Sequence, residues 1–131
     1  YYYIAIYDPF AAPDAARVKG VVRAPFTLRY EEWSDRAVTI TAELRGSVSY
    51  VPPREYTGIP VRDILDRAQP KDDATILRVI AEDGYEARFE LASVLNDETL
   101  VLSLDDGRLR LIAAAYDGAH WVRRVTSLVI E

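Results

Sequence analysis

The chain has no cysteine and no methionine, and His120 is its only histidine. Without cysteine the protein has no disulfides and no thiolate ligands for a metal ion. A single histidine also excludes a metal site built from several histidines. The lack of cysteine does not decide the compartment, but it excludes disulfide-stabilised and histidine-rich metalloprotein classes.

Long hydrophobic runs and an excess of positive charge are missing as well. No apolar run approaches the roughly 20 residues that a membrane-spanning helix needs. The formal net charge of -5 argues against a general nucleic-acid binder. Tyr1–Tyr7 is apolar but short and lacks a basic leader, so we do not expect a signal peptide. The first residue is not methionine, which indicates processing or trimming of a soluble protein.

The pattern that is present predicts one strand-rich domain. The chain has 131 residues, half of them hydrophobic, which fits a single domain over residues 1–131 with a substantial core. Alternating apolar residues predict strands over 38–44, 75–81 and 85–91, and a closing strand over 121–130. The turn sequences Asp83-Gly84 and Asp105-Asp106-Gly107 predict hairpins. We expect an N-terminal strand and loop over residues 1–16 and the longest irregular segment over 45–55.

A turn followed by a short helix is predicted in the middle of the chain. Gly58 suits a tight turn, and Pro60 suits the first turn of a helix. Pro70 ends the helix, because the residue before a proline avoids helical angles. The apolar stripe of this helix consists of Val61, Ile64, Leu65 and Ala68. The fold class is therefore α+β, with mixed or antiparallel sheets and a few short helices.

The same stretch resembles a known family. Tyr56–Leu65 is similar to the aromatic-Thr-Gly-Val-Pro-Leu-x-Asp-Leu-Leu segment of sulfite oxidase-type molybdopterin-binding domains. Further segments resemble that family in the same order, over residues 17–131. These are Val18–Val22 with Pro25–Leu28, Val38–Leu44, Asp83-Gly84-Tyr85 with Leu91 and Leu95, Leu109–Ile112, and Trp121–Thr126.

The resemblance implies a domain that binds molybdenum through a pterin. In that family a cysteine thiolate ligates the metal, basic side chains hold the pterin phosphate, and the metal passes oxygen or electrons to a small substrate. By position, Arg45 or Gly46 stands where the resemblance places the cysteine, and neither residue ligates molybdenum. We therefore predict no bound cofactor, no metal site and no catalytic residues, with molybdopterin kept as the alternative that the resemblance implies.

Candidate ligand-binding residues follow the strand over 38–44. Arg45, Gly46 and Ser47 form a candidate anion-binding loop, with backbone N–H groups and a hydroxyl as donors. Arg45 and Arg54 add charge-assisted hydrogen bonds to an anion. The alternative is an ordinary turn-rich loop with solvated arginines.

Two further candidates lie near the C terminus. The resemblance places a phosphate-holding lysine close to His120, which makes His120 a candidate anion contact, and the alternative is a half-exposed histidine at a strand start. Arg123 and Arg124 are predicted on opposite strand faces, so only one of them reaches a given ligand. Arg123 is included in the site. The carboxylates Asp105 and Asp106 are interpreted as turn residues.

Three hypotheses for function result. The first is a non-catalytic, degenerate member of the family that binds a small anionic or pterin-like ligand, or a protein partner, near Arg45–Arg54 and His120. The second is a molybdopterin-dependent oxidoreductase with an atypical metal site. The third is a structural interaction domain, in which Tyr1–Tyr7 pairs with another chain as an edge strand. An internal sheet strand is the alternative for that segment.

Overall fold

The computed structural model describes residues 15–45 and 50–131, with the side chains of 44, 45, 50 and 51 outside the description. The helices of this part are α1 (Tyr30–Trp33), α2 (Val61–Ala68) and α3 (Leu91–Leu95), with 3-10 turns at Ser34–Arg36 and Gly118–His120. The strands are β1 (Ala15–Gly20), β2 (Phe26–Arg29), β3 (Val38–Arg45), β4 (Tyr50–Pro60), β5 (Ile76–Ala81), β6 (Glu86–Glu90), β7 (Leu100–Asp105), β8 (Arg108–Ala113) and β9 (Val125–Ile130).

The described strands form two sheets. One has five strands in the order β2-β1-β9-β5-β6, and the other has four in the order β3-β4-β7-β8. The five-stranded sheet is mixed, because β1 and β9 are parallel while its other pairs are antiparallel. The four-stranded sheet is antiparallel throughout. The predicted α+β class with mixed sheets and short helices is therefore confirmed.

Helix α2 connects the two sheets in sequence and packs into the core. Its predicted stripe is fully buried, and this stripe comprises Val61, Ile64, Leu65 and Ala68. The helix ends at Ala68, where Gln69 takes left-handed angles with φ 58° and its N–H donates to the carbonyl of Leu65. A helix this short is marginal alone, so burial of the stripe stabilises it. The apolar spacing in the sequence predicted this helix correctly.

Strand β4 corrects two predictions made around Gly58. The segment over 45–55 is not irregular along its length, because β4 begins at Tyr50, and Gly58 lies inside this strand rather than in a turn. A Cβ at Gly58 would lie 2.8 Å from the carbonyl oxygen of Leu102 on β7. Glycine is therefore required for close approach of the two strands and not for a turn.

The two prolines of β4 also led to the prediction of an irregular segment over 45–55. Pro52 and Pro53 lie opposite a register shift of β3 between Ala42 and Leu44. Proline is tolerated in strands at such irregularities, where the missing N–H interrupts no regular ladder. This segment, whose proline content predicts a loop, is therefore a strand with a β-bulge.

The closing strand begins later than predicted. The expected strand over 121–130 is observed from Val125 only. Arg124 has φ 54°, a left-handed conformation that interrupts extended structure. Before that break, Arg123 makes an isolated antiparallel bridge to Arg110 of β8. Residues 121–124 therefore link the two sheets instead of extending β9, so Arg123 and Arg124 do not alternate along a strand.

The hairpins at Asp83-Gly84 and Asp105-Asp106-Gly107 are observed as predicted, joining β5 to β6 and β7 to β8. The strand and loop predicted over residues 1–16 lie largely outside the described residues, and so does the proposed pairing of Tyr1–Tyr7. Within the described ranges, no helix is long and apolar enough to cross a membrane.

Candidate functional site

The four-stranded sheet opens where β4 and β7 part. Their pairing covers Gly58 with Ser103, Ile59 with Leu102, and Pro60 with Val101. The preceding part of β4 pairs with β3 alone among the described strands. A cavity of about 230 Å³ lies at this opening. Its lining includes Arg54, Tyr56, Thr57, Ser103, Asp105 and Arg110.

Arg110 is the central side chain of this opening. It lies on β8 opposite Ser103, which in turn lies opposite Gly58 on β4. Alternation along β4 places Arg54 and Tyr56 on the face of Gly58. These residues therefore share one face of the sheet, and the opening brings their side chains together.

The Arg110 side chain is only 12% exposed. Its Nε is buried without a hydrogen-bond partner, and so is the hydroxyl of Tyr56. The nearest carboxylate is that of Asp105, with Oδ2 3.6 Å from Nη1 of Arg110. That distance is too long for a hydrogen bond. In the described part of the chain, the guanidinium of Arg110 thus has an ion pair but no hydrogen-bond acceptor.

Two aromatic rings pack against the guanidinium of Arg110. The Cζ of Arg110 lies 5.9 Å from the ring centroid of Tyr56 and 5.6 Å from that of Trp121. The rings contact each other edge to face, with centroids 5.6 Å apart. The indole Nε1 donates to the carbonyl of Ala113 at 2.8 Å, which fixes Trp121. Cation–π contacts stabilise the positive charge without using its N–H donors.

Two more arginines flank Arg110. The Cζ of Arg54 lies 5.0 Å from the ring centroid of Tyr56, and Arg123 faces Arg110 across the backbone bridge. Burial lowers the pKa of Arg110, and the positive charges of Arg123 and Arg54 lower it further. We call Arg54, Arg110 and Arg123 the arginine cluster.

A second cavity, of about 210 Å³, lies on the Arg123 side of Arg110. Arg108 and Arg124 also line it, but both are paired with Glu82. Nη1 of Arg108 lies 2.5 Å from Oε2 of Glu82, and Nη1 of Arg124 lies 3.3 Å from Oε1. These two arginines therefore share one carboxylate, which compensates one of their two positive charges.

His120 lies in a different group of side chains. Its ring contacts Phe89 and Tyr116, with centroids 5.2 Å and 5.1 Å away. Its Nδ1 lies 2.8 Å from Oδ1 of Asp117, and this hydrogen bond lowers the pKa of Asp117. The adjacent residue Trp121, not His120, contacts the arginine cluster. The structure thus places Arg54 and Arg123 on either side of Arg110, and the His120 ring lies against other partners.

The remaining predicted residues stay predictions. Gly46 and Ser47 lie outside the described residues, and so does the side chain of Arg45. Sequence reasoning missed Arg110 and Tyr56, which were included only in segments that resemble the family. The sequence signal for Arg110 was its position between two leucines, Leu109 and Leu111. Both leucines are fully buried in the structure.

The donor set does not fit a thiolate-held molybdenum centre. The sequence has no cysteine, and the described residues contain no group of three or more His, Asp or Glu side chains placed to hold a metal ion. Soft metals require thiolate or imidazole ligands, and hard cations require several oxygens. Arginine side chains supply hydrogen-bond donors only.

A solved structure with a similar fold is the crystal structure of the sulfane dehydrogenase SoxCD from Paracoccus pantotrophus. The match has a TM-score of 0.75 and 20% sequence identity, and it covers 88% of this chain and 37% of that chain. This likeness shows the fold and confirms the predicted sulfite oxidase-like architecture. The chain spans well under half of the SoxCD chain. No family model matches the chain, and no curated protein matches it.

Proposed function

We propose that the domain is a binding module for a small anionic ligand, held at the arginine cluster. The observation that carries this proposal is the state of Arg110. Its guanidinium is largely buried, yet in the described residues no oxygen accepts a hydrogen bond from it. Buried polar groups in native proteins almost always have a hydrogen-bond partner. An oxyanion supplies the missing acceptors.

The surroundings support an anion over a neutral ligand. Arg54 and Arg110 line the opening, Arg123 lines the adjoining cavity on the other side of Arg110, and the charges of Arg54 and Arg123 lower the pKa of Arg110. The carboxylates of Glu55 and Asp105 also line the opening, and Asp105 forms an ion pair with Arg110. Arginine presents its donors in a planar fork that matches carboxylate, sulfate and phosphate oxygens. The rings of Tyr56 and Trp121 contact the guanidinium of Arg110, which limits its movement before a ligand arrives.

The test is a titration with sodium sulfate at constant ionic strength, followed by thermal unfolding and calorimetry. A ligand that binds only the folded state raises the melting temperature. We expect sulfate to do so, and we expect Arg54→Gln and Arg123→Gln each to weaken binding by about tenfold, the loss of one charge-assisted hydrogen bond. Unchanged affinity in both variants would contradict the proposed site.

Arg108→Gln is the matched control. This variant also removes one arginine at the same end of the sheet, but Arg108 is paired with Glu82. We expect its sulfate affinity to stay close to that of the wild type. His120→Ala tests how far the site extends, because loss of the sulfate effect in a folded His120→Ala protein would add His120 to the ligand contacts.

A molybdopterin-dependent oxidoreductase with an atypical metal site is the second candidate. The likeness to a dehydrogenase favours it, and the donor set argues against it. Elemental analysis of the protein purified from its natural host separates the two candidates. Molybdenum or tungsten in stoichiometric amount would replace the binding-module proposal, whereas metal-free protein that binds sulfate would support it.

A further inference from the structure

Asp105 occupies an unusual position in the proposed anion site. It is the last residue of β7, directly before the Asp106-Gly107 turn, and its carboxylate reaches back to Arg110. Both Asp105 and Arg110 line the cavity on the Arg54 side and also the cavity on the Arg123 side. The Asp105 carboxylate therefore lies beside Arg110 where the two cavities meet, while the other acidic lining residues, Glu55 and Asp106, each line one cavity only.

The contact is loose and able to break. The Asp105 side chain is 59% exposed, and its 3.6 Å approach to Arg110 is longer than a hydrogen bond. An exposed carboxylate regains full hydration when it rotates away, so release has a small energetic cost. The Arg110 side chain, by contrast, is only 12% exposed and contacts the rings of Tyr56 and Trp121. Of the two partners, Asp105 is the one free to move.

We propose that Asp105 is the specificity-determining residue of the site: its carboxylate acts as an internal counter-ion that an anionic ligand must displace from Arg110. This proposal rests on the proposed function. A monocarboxylate ligand that displaces Asp105 only replaces one carboxylate on Arg110 with another. It also competes with a tethered group whose effective concentration is in the millimolar range or above. Such ligands are rejected.

Anions of higher charge overcome this competition. A doubly charged oxyanion such as sulfate or a phosphate group displaces Asp105 and in addition contacts the second arginine on its side of Arg110, which is Arg54 in one cavity and Arg123 in the other. The Asp105 carboxylate pairs with neither of these two arginines in the described structure. The extra contacts are charge-assisted and therefore stronger than neutral hydrogen bonds. The site thus selects for doubly charged oxyanions over monocarboxylates.

The experiment compares sodium sulfate with sodium acetate by calorimetry, at constant ionic strength, on the wild type and on Asp105→Asn. We expect the wild type to bind sulfate and not acetate. In Asp105→Asn we expect sulfate to bind about fivefold more tightly, as the loss of a partly exposed ion pair predicts, and acetate binding to become measurable. Asp105→Ser provides a second uncharged replacement, so that the test does not depend on one variant.

Asp106→Asn is the charge control, because it removes the same charge one residue away from a carboxylate that also lines the cavity on the Arg123 side. Asp106 has φ 52°, a conformation that asparagine adopts readily, so this variant keeps the turn. Asp105, not Asp106, is the ion-pair partner of Arg110 among the described residues, so the sulfate affinity of Asp106→Asn should rise by clearly less than that of Asp105→Asn. An equal gain in both variants would show a general charge effect and overturn the inference.

Two failures remain distinguishable. If the wild type binds sulfate and Asp105→Asn binds sulfate and acetate no better, the anion site stands and the role of Asp105 is overturned. If neither protein binds sulfate at all, the proposed function itself fails, and the inference about Asp105 fails with it.

Discussion

Arg78 is the third residue of β5 and Arg110 is the third residue of β8. Arg78 lies between Leu77 and Val79, Arg110 lies between Leu109 and Leu111, and all four neighbours are fully buried. Each arginine therefore belongs to the less buried face of its strand. By local sequence and by strand position the two residues are nearly interchangeable.

Their partners differ completely. Arg78 donates from Nε and Nη2 to Oε2 of Glu86, at 3.0 Å and 2.5 Å, and from Nη1 to Oε2 of Glu131 at 3.0 Å. Its side chain is 26% exposed, against 12% for Arg110. The more buried arginine is thus the one with fewer acceptors.

The pKa values of the two arginines are shifted in opposite directions, because their surroundings differ. Hydrogen bonding to Glu86 raises the pKa of Arg78, whereas burial lowers the pKa of Arg110. Arg78 is a structural residue, because the fold itself supplies its acceptors. Arg110 has the features of a binding residue, because the described protein leaves its donors without acceptors. The set of partners, not the degree of burial, separates the two.

The largest expected effect concerns anion binding. Arg110→Met should abolish the sulfate-induced rise in melting temperature, because it removes the central donor of the cluster while keeping an unbranched chain between Tyr56 and Trp121. Arg78→Met should leave sulfate affinity unchanged. Calorimetric titration of both variants measures this difference. Sulfate binding by Arg110→Met at wild-type affinity would contradict the assigned role of Arg110.

This comparison also shows what the sequence was able to predict. Apolar periodicity gave the α2 stripe and the alternation of β5, and Asp-Gly pairs gave two hairpins, because these features depend on neighbours along the chain. The segments Leu77-Arg78-Val79 and Leu109-Arg110-Leu111 look alike in the sequence. Their difference depends on residues 8 to 53 positions away in one case and on Tyr56 and Trp121 in the other. Local pattern contains no information about such partners.

The same limit explains the errors around β4. Gly58 and the pair Pro52-Pro53 were interpreted by their turn chemistry, which is a local property. In the structure Gly58 is required by the close backbone of Leu102. The two prolines lie at a register shift in the pairing of β3 with β4. The sequence analysis selected Arg54 and Arg123 for the site, which stays a prediction, and it did not select Arg110, which lies between them.

A smaller effect is expected on stability, with opposite signs at the two arginines. Arg78→Met leaves Glu86 and Glu131 without their donor, so we expect the melting temperature to fall. Arg110→Met removes a largely buried charge whose one ion-pair partner, Asp105, is exposed, and such replacements are often neutral or stabilising. We therefore expect its melting temperature to stay equal or rise. Thermal unfolding in a buffer free of sulfate and phosphate measures the melting temperatures of the two variants and the wild type.

The result would contradict the comparison if Arg110→Met were the less stable of the two variants. Glu98→Gln serves as a reference for surface charge, because it removes one partner of an exposed ion pair with Arg62. Exposed pairs of this kind contribute little. We expect the melting temperature of this variant to match that of the wild type within error.

The smallest effect concerns acid sensitivity. The hydrogen bond from Arg78 holds the pKa of Glu86 below its ordinary value. A carboxyl group with a lowered pKa in the folded state stabilises the fold above its unfolded pKa, and that contribution is lost as the pH falls through the folded value. Acidification from about pH 7 to about pH 3 should therefore lower the free energy of unfolding of the wild type more than that of Arg78→Met, since the variant lacks this contribution at both pH values.

Arg110→Met should lose as much stability on acidification as the wild type, because no carboxylate accepts a hydrogen bond from Arg110 in the described structure. Urea unfolding midpoints at the two pH values measure the difference, which solvent screening keeps small. Equal acid losses in wild type and Arg78→Met would mean that the Arg78–Glu86 pair does not stabilise the fold, and the contrast between the two arginines would then depend on anion binding alone.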